Sequence, residues 1–347
     1  MSKMILRMPD YCRDFRCSAG SCSDNCCIGW EIDIDSRTAD YYKSVGGSFG
    51  ERLRSSISWG KADSFILKNE RCPFLNNDNL CDIILNLGED KICHICTEHP
   101  RYYEWFDGVK EGGVGLCCEE AARLILEKGG SPDYYEQEIP YEECGEYDCG
   151  LYDFLSSARE KILRRLRDNS IPLSRCAFEI ERYTCELQEL VDNYSYDSIP
   201  EINTLSEPEK TVSDTEGILE IFSRLEPIDE KWQPFIFSIR EKSADYHYSG
   251  KYDRYLRNIG IYFIRRYFMK GVFDEEILSK TRLAIISMAM LSLIFECCDA
   301  DSEQCIILAK NYSKEVEYSE ENLEAIYDMC YTEKIFSADE LIKFLAL

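Results

Sequence analysis

Nineteen cysteines in a chain of 347 residues constrain this sequence more than any other feature. Thirteen of them precede position 150, and two adjacent pairs stand among those, Cys26-Cys27 and Cys117-Cys118. A chain this long buries enough apolar surface to fold without covalent staples. Thiols in such number belong to a reducing compartment, where they bind metal or do chemistry. Metal or iron-sulfur ligation is therefore favoured over a disulfide scaffold. The beginning of the sequence agrees: Met1 to Pro9 carries Lys3 and Arg7 and reaches Asp10 before a sustained apolar core forms. No targeting segment is expected there, and a cytoplasmic location is.

Charge narrows the partners. Forty Lys and Arg against 65 Asp and Glu give a formal net charge of -25, which repels nucleic-acid phosphates and anionic lipid at long range. A lysine-bearing protein surface would be attracted, although an acidic surplus also serves plain solubility. The longest apolar run, Leu283 to Phe295, contains two serines and is closed by Glu296. It falls short of the roughly 20 residues that span a bilayer, so a buried helix rather than membrane insertion is expected.

The pattern predicts a predominantly α fold, in which a cysteine-rich, loop-rich metal-binding N-terminal module is packed on a helical C-terminal half. Residues 1–130 form the module, 131–150 an acidic connector, and 151–347 the helical region with a long loop at 194–217. Within the module, helix is expected in Ser36 to Ile57 and Glu119 to Lys128, a strand at Ser64 to Lys68, and a turn at Gly112, Gly113 and Gly115. Beyond it, Leu155, Ile162 and Leu166 share a helical face, and Tyr252, Tyr255, Leu256, Ile259, Phe263 and Tyr267 recur at helical spacing. Ser337 with Glu340 fits a capping box opening a last helix through Leu345.

The cysteines fall into groups. Cys17, Cys22, Cys26 and Cys27 are spaced closely enough to converge, though one of the adjacent pair could simply pack as a small apolar residue. Cys72, Cys81, Cys93 and Cys96 form a second group, in which Cys93-x-x-Cys96 lets both sulfurs reach one metal from a tight turn. A dithiol redox pair is the lesser alternative, because no βαβ pattern surrounds it. Cys117 and Cys118, before Glu119 and Glu120, make a third group.

With those residues in view, the opening Phe15, Cys17, Cys22, Asp24, Cys26, Cys27, Gly29 and Trp30 resembles the flagellin lysine N-methylase family. Cys72-Pro73-Phe74-Leu75, Leu80-Cys81, Cys96, Pro100-Arg101, then Cys118, Glu120 and Arg123, follow that family's later cysteine motifs in order. Parts also resemble cysteine-cluster proteins that chelate zinc or iron. The resemblance implies methyl transfer from S-adenosylmethionine to lysine ε-amines of flagellin, in a protein carrying a [4Fe-4S] cluster, with zinc as the alternative metal. Its implied ligands are Cys17, Cys22, Cys26, Cys27, Cys72, Cys81, Cys93, Cys96 and Cys118. Cys117 and Glu119 depart from the family pattern. A non-enzymatic cluster carrier or zinc-stabilised interaction module is the alternative function.

No Gly-rich loop of dinucleotide type follows a strand, so a Rossmann-type donor site is not supported. An iron with an open position could instead chelate the donor's amino and carboxylate groups. The lysine must lose a proton before it attacks, and Tyr102, Tyr103, Glu119 and Glu120 are weak candidates to take it. Tyr102, Tyr103, Trp105 and Phe106 could cage a methylammonium or could be core. His94 and His99 flank Cys96, where hydrogen-bonded roles are favoured over ligation. Arg254, Arg257 and Arg265 can share a helix face and hold a carboxylate, although a solvated face is the preferred reading.

Overall fold

The structure is a computed structural model and describes residues 2–206 and 212–346. The chain forms two compact units, one of Met1–Phe15, Tyr103–Cys117 and Ala121–Leu347, the other of Arg16–Tyr102 with Cys118–Glu120. Helix dominates the described residues.

Lys3–Pro9 lies inside a four-stranded sheet. The order is Arg101–Phe106, Val109–Val114, Lys3–Pro9, Tyr134–Pro140. Lys3–Pro9 runs parallel to Val109–Val114, with Ile5 opposite Val109, and antiparallel to Tyr134–Pro140, with Arg7 opposite Glu136. Thus Gly112 and Gly113 are strand residues and not the expected turn. The turn is at Asp107-Gly108, where Gly108 takes φ +75°. Pairing with the first strand likewise draws part of the acidic connector into the sheet.

The helices of the larger unit follow from their apolar faces and caps. Cys149–Arg167 begins where the Asp148 carboxylate accepts from the N–H groups of Gly150 and Leu151. Asp301 and Gln304 form a capping box at Ser302–Glu317. At the C-terminus no side chain caps the helix that follows Ser337; it spans only Ala338–Leu341 before a 3-10 turn at Ile342–Leu345. Of the loop expected at 194–217, residues 195–206 and 212–214 are irregular, a helix starts at Thr215, and 207–211 lie outside the described residues.

Leu278–Cys297 is apolar on every side. At 20 residues it is long and apolar enough to cross a membrane by length and composition, so the argument from shortness fails. Its burial has another cause: 89% of its most apolar window is packed inside the protein. It lies against Asp253–Tyr267, where a β-carbon on Gly260 would come within 2.7 Å of the Met288 sulfur. The solvated-face reading of the arginines on Asp253–Tyr267 also fails, since Arg257 and Arg265 are buried and only Arg254 is exposed.

The smaller unit has little regular structure. Asp33–Ile34, Asp63–Phe65 and Ile57–Ser58 form a three-stranded antiparallel sheet in that order. The helix expected within Ser36 to Ile57 is present as two helices, Ser36–Ser44 and Gly47–Ser55. They break where the Val45 carbonyl folds back so closely that a β-carbon at Gly50 would stand 1.9 Å from it. Tyr42, Phe65 and Phe74 centre a core that includes Cys72 and Cys93, with Cys27, Cys81 and Cys96 packed against it.

Candidate thiol centre

All nineteen cysteines are free thiols. The first and second groups meet through the backbone, where Cys72 N–H donates to the Cys27 carbonyl at 2.8 Å and Gly29 N–H to that of Glu70 at 2.9 Å. Cys81 is carried back toward Cys72 by a bridge between Leu75 and Cys81 and by Asp82 N–H donating to Phe74 at 2.7 Å. Asp35 links the remaining segment. Its carboxylate accepts from Thr38 N–H at 3.0 Å, capping the helix Ser36–Ser44, and from His94 N–H at 2.9 Å, beside Cys93.

The Sγ atoms of Cys93 and Cys96 are 3.2 Å apart. Sharing a hydrogen bond, they split in proton affinity: Cys93 is lowered by its bond to Cys96, and Cys96 is raised by the same bond and by burial. Cys26 and Cys27 divide in the same way, with Cys26 lowered and Cys27 raised. Burial pushes the Cys72 thiol up to about 11 and raises Cys81, whose sulfur is partly compensated by the N–H groups of Ile83 and Ile84. Cys72 and Cys81 also raise Cys27, and Cys27 and Cys72 raise Cys96. These sulfurs therefore share one neighbourhood.

Among the described residues, no three His, Cys, Asp or Glu side chains are disposed to hold a metal ion as they stand. By donor type the neighbourhood nevertheless fits a thiolate-bound centre, since it offers more than the four sulfurs that an iron-sulfur cluster or a structural zinc requires. Cys17 is exposed and accepts from Ala19 N–H at 3.4 Å. Cys22 lies 3.9 Å from Glu119 Oε2, next to Cys118 in sequence. Glu119 also accepts from Ser23 N–H at 3.0 Å, so it anchors the Cys22 loop. His99 tilts against Trp30 with ring centroids 5.9 Å apart, and burial lowers its pKa to about 4.

Other expected site residues have separate surroundings. Tyr103 and Trp105 do flank a cation, but it is Lys110 of the same chain, 4.4 and 4.7 Å from the two ring centroids. Its ammonium also pairs with Glu142 at 2.9 Å. Phe106 is buried against Tyr152, Tyr147 and Phe273. Cys117 is buried and its thiol is pushed up to about 11 by burial. Of the nine cysteines outside the three groups, Cys12, Cys176, Cys305 and Cys330 are buried and Cys149 is exposed.

A polar centre that the sequence did not announce surrounds Glu317. Its carboxylate, fully buried, accepts from Tyr262 Oη at 2.9 Å, Tyr267 Oη at 2.8 Å and Ser313 Oγ, with Arg266 at 3.3 Å. The available signal was the spacing of Tyr262 with Arg266 and of Ser313 with Glu317, each one helical turn.

Residues 180–344 match the model of the FliB lysine N-methylase C-terminal domain, a stretch of the helical unit that contains none of the cysteine motifs. The flagellar biosynthetic protein FliU of Salmonella muenchen is 27% identical over 186 residues, which are 51% of this chain and 99% of that protein. Lysine-N-methylases of Salmonella choleraesuis and Salmonella typhimurium are each 28% identical over 136 residues, 36% of this chain. The match spans only 33% of the length of each of those two enzymes. No solved structure matches the chain.

Proposed function

Because residues 180–344 match the FliB lysine N-methylase C-terminal domain, we propose that the chain belongs to that family and methylates lysine ε-amines of flagellin with S-adenosylmethionine as donor. The observation that carries this reading is that family match, supported by the likeness to lysine-N-methylases and to a flagellar biosynthetic protein. The net charge of -25 suits a lysine-bearing protein substrate. The reaction would take place in the cytoplasm, where flagellin is made and thiols stay reduced.

The reading includes a [4Fe-4S] cluster, for which Cys27, Cys72, Cys81, Cys93 and Cys96 are the preferred ligands and Cys26 a neighbour in reserve. Bound there, it would join segments that otherwise meet through a few backbone hydrogen bonds. Cys17, Cys22 and Cys118 remain candidates for a second centre. Incubation of anaerobically purified protein with isotopically labelled donor and flagellin, followed by mass spectrometry of the lysines, tests the activity. Transfer of label to lysine is the expected result; none at any lysine overturns it.

One observation favours a second reading as a cluster carrier or interaction module: the gathered thiols lie outside the family-matched residues. Protein that binds flagellin and holds metal but transfers no methyl group would establish it.

A further inference from the structure

Within the helical unit a cavity of about 500 Å³ is lined by Arg167, Arg254 and Arg257 on one hand and Asp10 and Glu127 on the other. Its volume lies in the range of about 300–1,000 Å³ usual for small-molecule sites. The arginines are fixed by backbone carbonyls: Arg257 donates to Leu166 at 3.1 Å and to Ile171, Arg167 to Gly130 at 3.2 Å, and Arg254 to Glu127. Among the described residues none of the three has a carboxylate within ion-pair distance. Nearby Asp168 accepts from Ser170 Oγ at 2.6 Å and Glu160 from Tyr134 Oη at 3.3 Å.

Such an arrangement needs a reason in a chain with 65 acids to 40 bases. Capping of helix C-termini accounts for the carbonyl contacts. It does not account for Arg167 Nη2, which is buried with no hydrogen-bond partner, nor for three guanidiniums gathered around one open space with no direct ion pair among them. Burial, with Arg265 close by, disfavours the charged form of Arg167, and an anion in the cavity would relieve this. The backbone permits a close approach here, since a β-carbon on Gly130 would meet Asn258 Oδ1 at 2.8 Å. Leu166 and Ile261 add an apolar wall.

We propose that this cavity binds the methyl donor, with Arg167, Arg254 and Arg257 receiving its carboxylate and Asp10 and Glu127 its ammonium or ribose hydroxyls. Planar guanidiniums match a carboxylate geometrically, and opposed charges across one cavity match an amino-acid zwitterion. The assignment rests on the methylase reading for the identity of the ligand. It places the donor's head group on arginines, in contrast to chelation by an iron.

The test is isothermal calorimetry of the full chain with S-adenosylhomocysteine, which keeps every recognised group but cannot react, and with adenosine, which lacks the carboxylate. Arg254→Gln, at an exposed rim position, and Arg167→Gln should each weaken S-adenosylhomocysteine by about tenfold or more, as expected for loss of a charge-assisted hydrogen bond. Adenosine should bind wild type and variants alike. Thermal unfolding identifies any variant that is misfolded, and Arg254→Lys, which keeps the charge, should recover part of the affinity. Unchanged affinity in both glutamine variants overturns the proposal, as does absence of binding to the wild type. Inorganic phosphate competing as well as S-adenosylhomocysteine would also overturn it, by making the cavity a general anion site. Methylation by wild type with donor affinity indifferent to the arginines sinks the cavity alone; arginine-dependent donor binding without any methylation sinks the methylase reading alone.

Discussion

Glu317 shows how a single buried charge can depend on its neighbours. Its carboxylate is held by two phenols, a serine hydroxyl and Arg266. Removing it takes from the half-buried Arg266 guanidinium the carboxylate at 3.3 Å and leaves the surrounding hydroxyls without their common acceptor. Glu317→Ala should therefore destabilise the helical unit by about 3–5 kcal/mol, the usual result of breaking a buried pair from one side, as read from urea unfolding. A loss below about 1 kcal/mol would mean that the centre is hydrated and loosely held. His99 gives a second residue-scale prediction, with the opposite dependence from that of a paired histidine. Burial lowers its folded pKa from 6.5 to about 4. The unfolded chain takes up this proton first, so the His99 contribution to stability is complete above pH 6.5 and is lost as pH falls from there to about 4. Unfolding midpoints of wild type and His99→Gln across that interval should converge on the acid side. Parallel profiles would show that the ring is solvated. The residues themselves were visible in the sequence, but their settings were not. Spacing identified Cys93 with Cys96, whereas it could not show that Arg257 turns inward to carbonyls of another segment, because helical periodicity is blind to what a side chain meets across the fold.

Elements succeed or fail in this chain at their junctions. The helix Glu119–Lys128 was legible because its apolar residues and its acidic first turn agree. Helix within Ser36 to Ile57 was legible too, but its division into two was not, because that break depends on the Val45 carbonyl folding over Gly50. Strand pairing was equally hidden: Lys3–Pro9 has partners from two distant segments, and long-range pairing leaves no local signature. Asp35 joins two elements that spacing alone could not connect, capping Ser36–Ser44 and holding His94 N–H at the start of the segment that carries Cys96. Asp35→Ala should cost about 1–2 kcal/mol for the cap and should raise amide exchange at both Thr38 and His94. Faster exchange at Thr38 alone would show that the second contact is dispensable. In the helical unit, Gly260 sets the approach of two helices. Gly260→Ala would place a methyl group 2.7 Å from Met288 Sδ, and the overpacking should cost about 1–3 kcal/mol. Met288→Ala removes the clash, so the double variant should lose less than the sum of the two single losses.

At the scale of the whole chain, two kinds of stability coexist. The larger unit has an apolar core built on helices such as Leu278–Cys297, and such a core persists without a metal. The smaller one has short helices, a small three-stranded sheet and thiols within its core, and so its order should depend on what those thiols bind. Anaerobic analysis of iron, sulfide and zinc addresses the metal directly, and zinc without labile sulfide would rule out the iron-sulfur reading. Serine in place of Cys72, Cys81 or Cys93 should lower the metal content to background, while serine at Cys305, buried in the larger unit, should leave it unchanged. Folding is the confounder, because a cysteine variant could lose metal merely by unfolding. Limited proteolysis separates these cases: metal removal by a chelator should expose cleavage sites within Arg16–Tyr102 while the helices beyond Ala121 remain protected, and Cys72→Ser should reproduce that pattern without chelator. Cys305→Ser should retain both metal and protection. If the chelator instead opens both units together, or opens neither, the thiols do not govern the order of the smaller unit and the proposed ligand set fails.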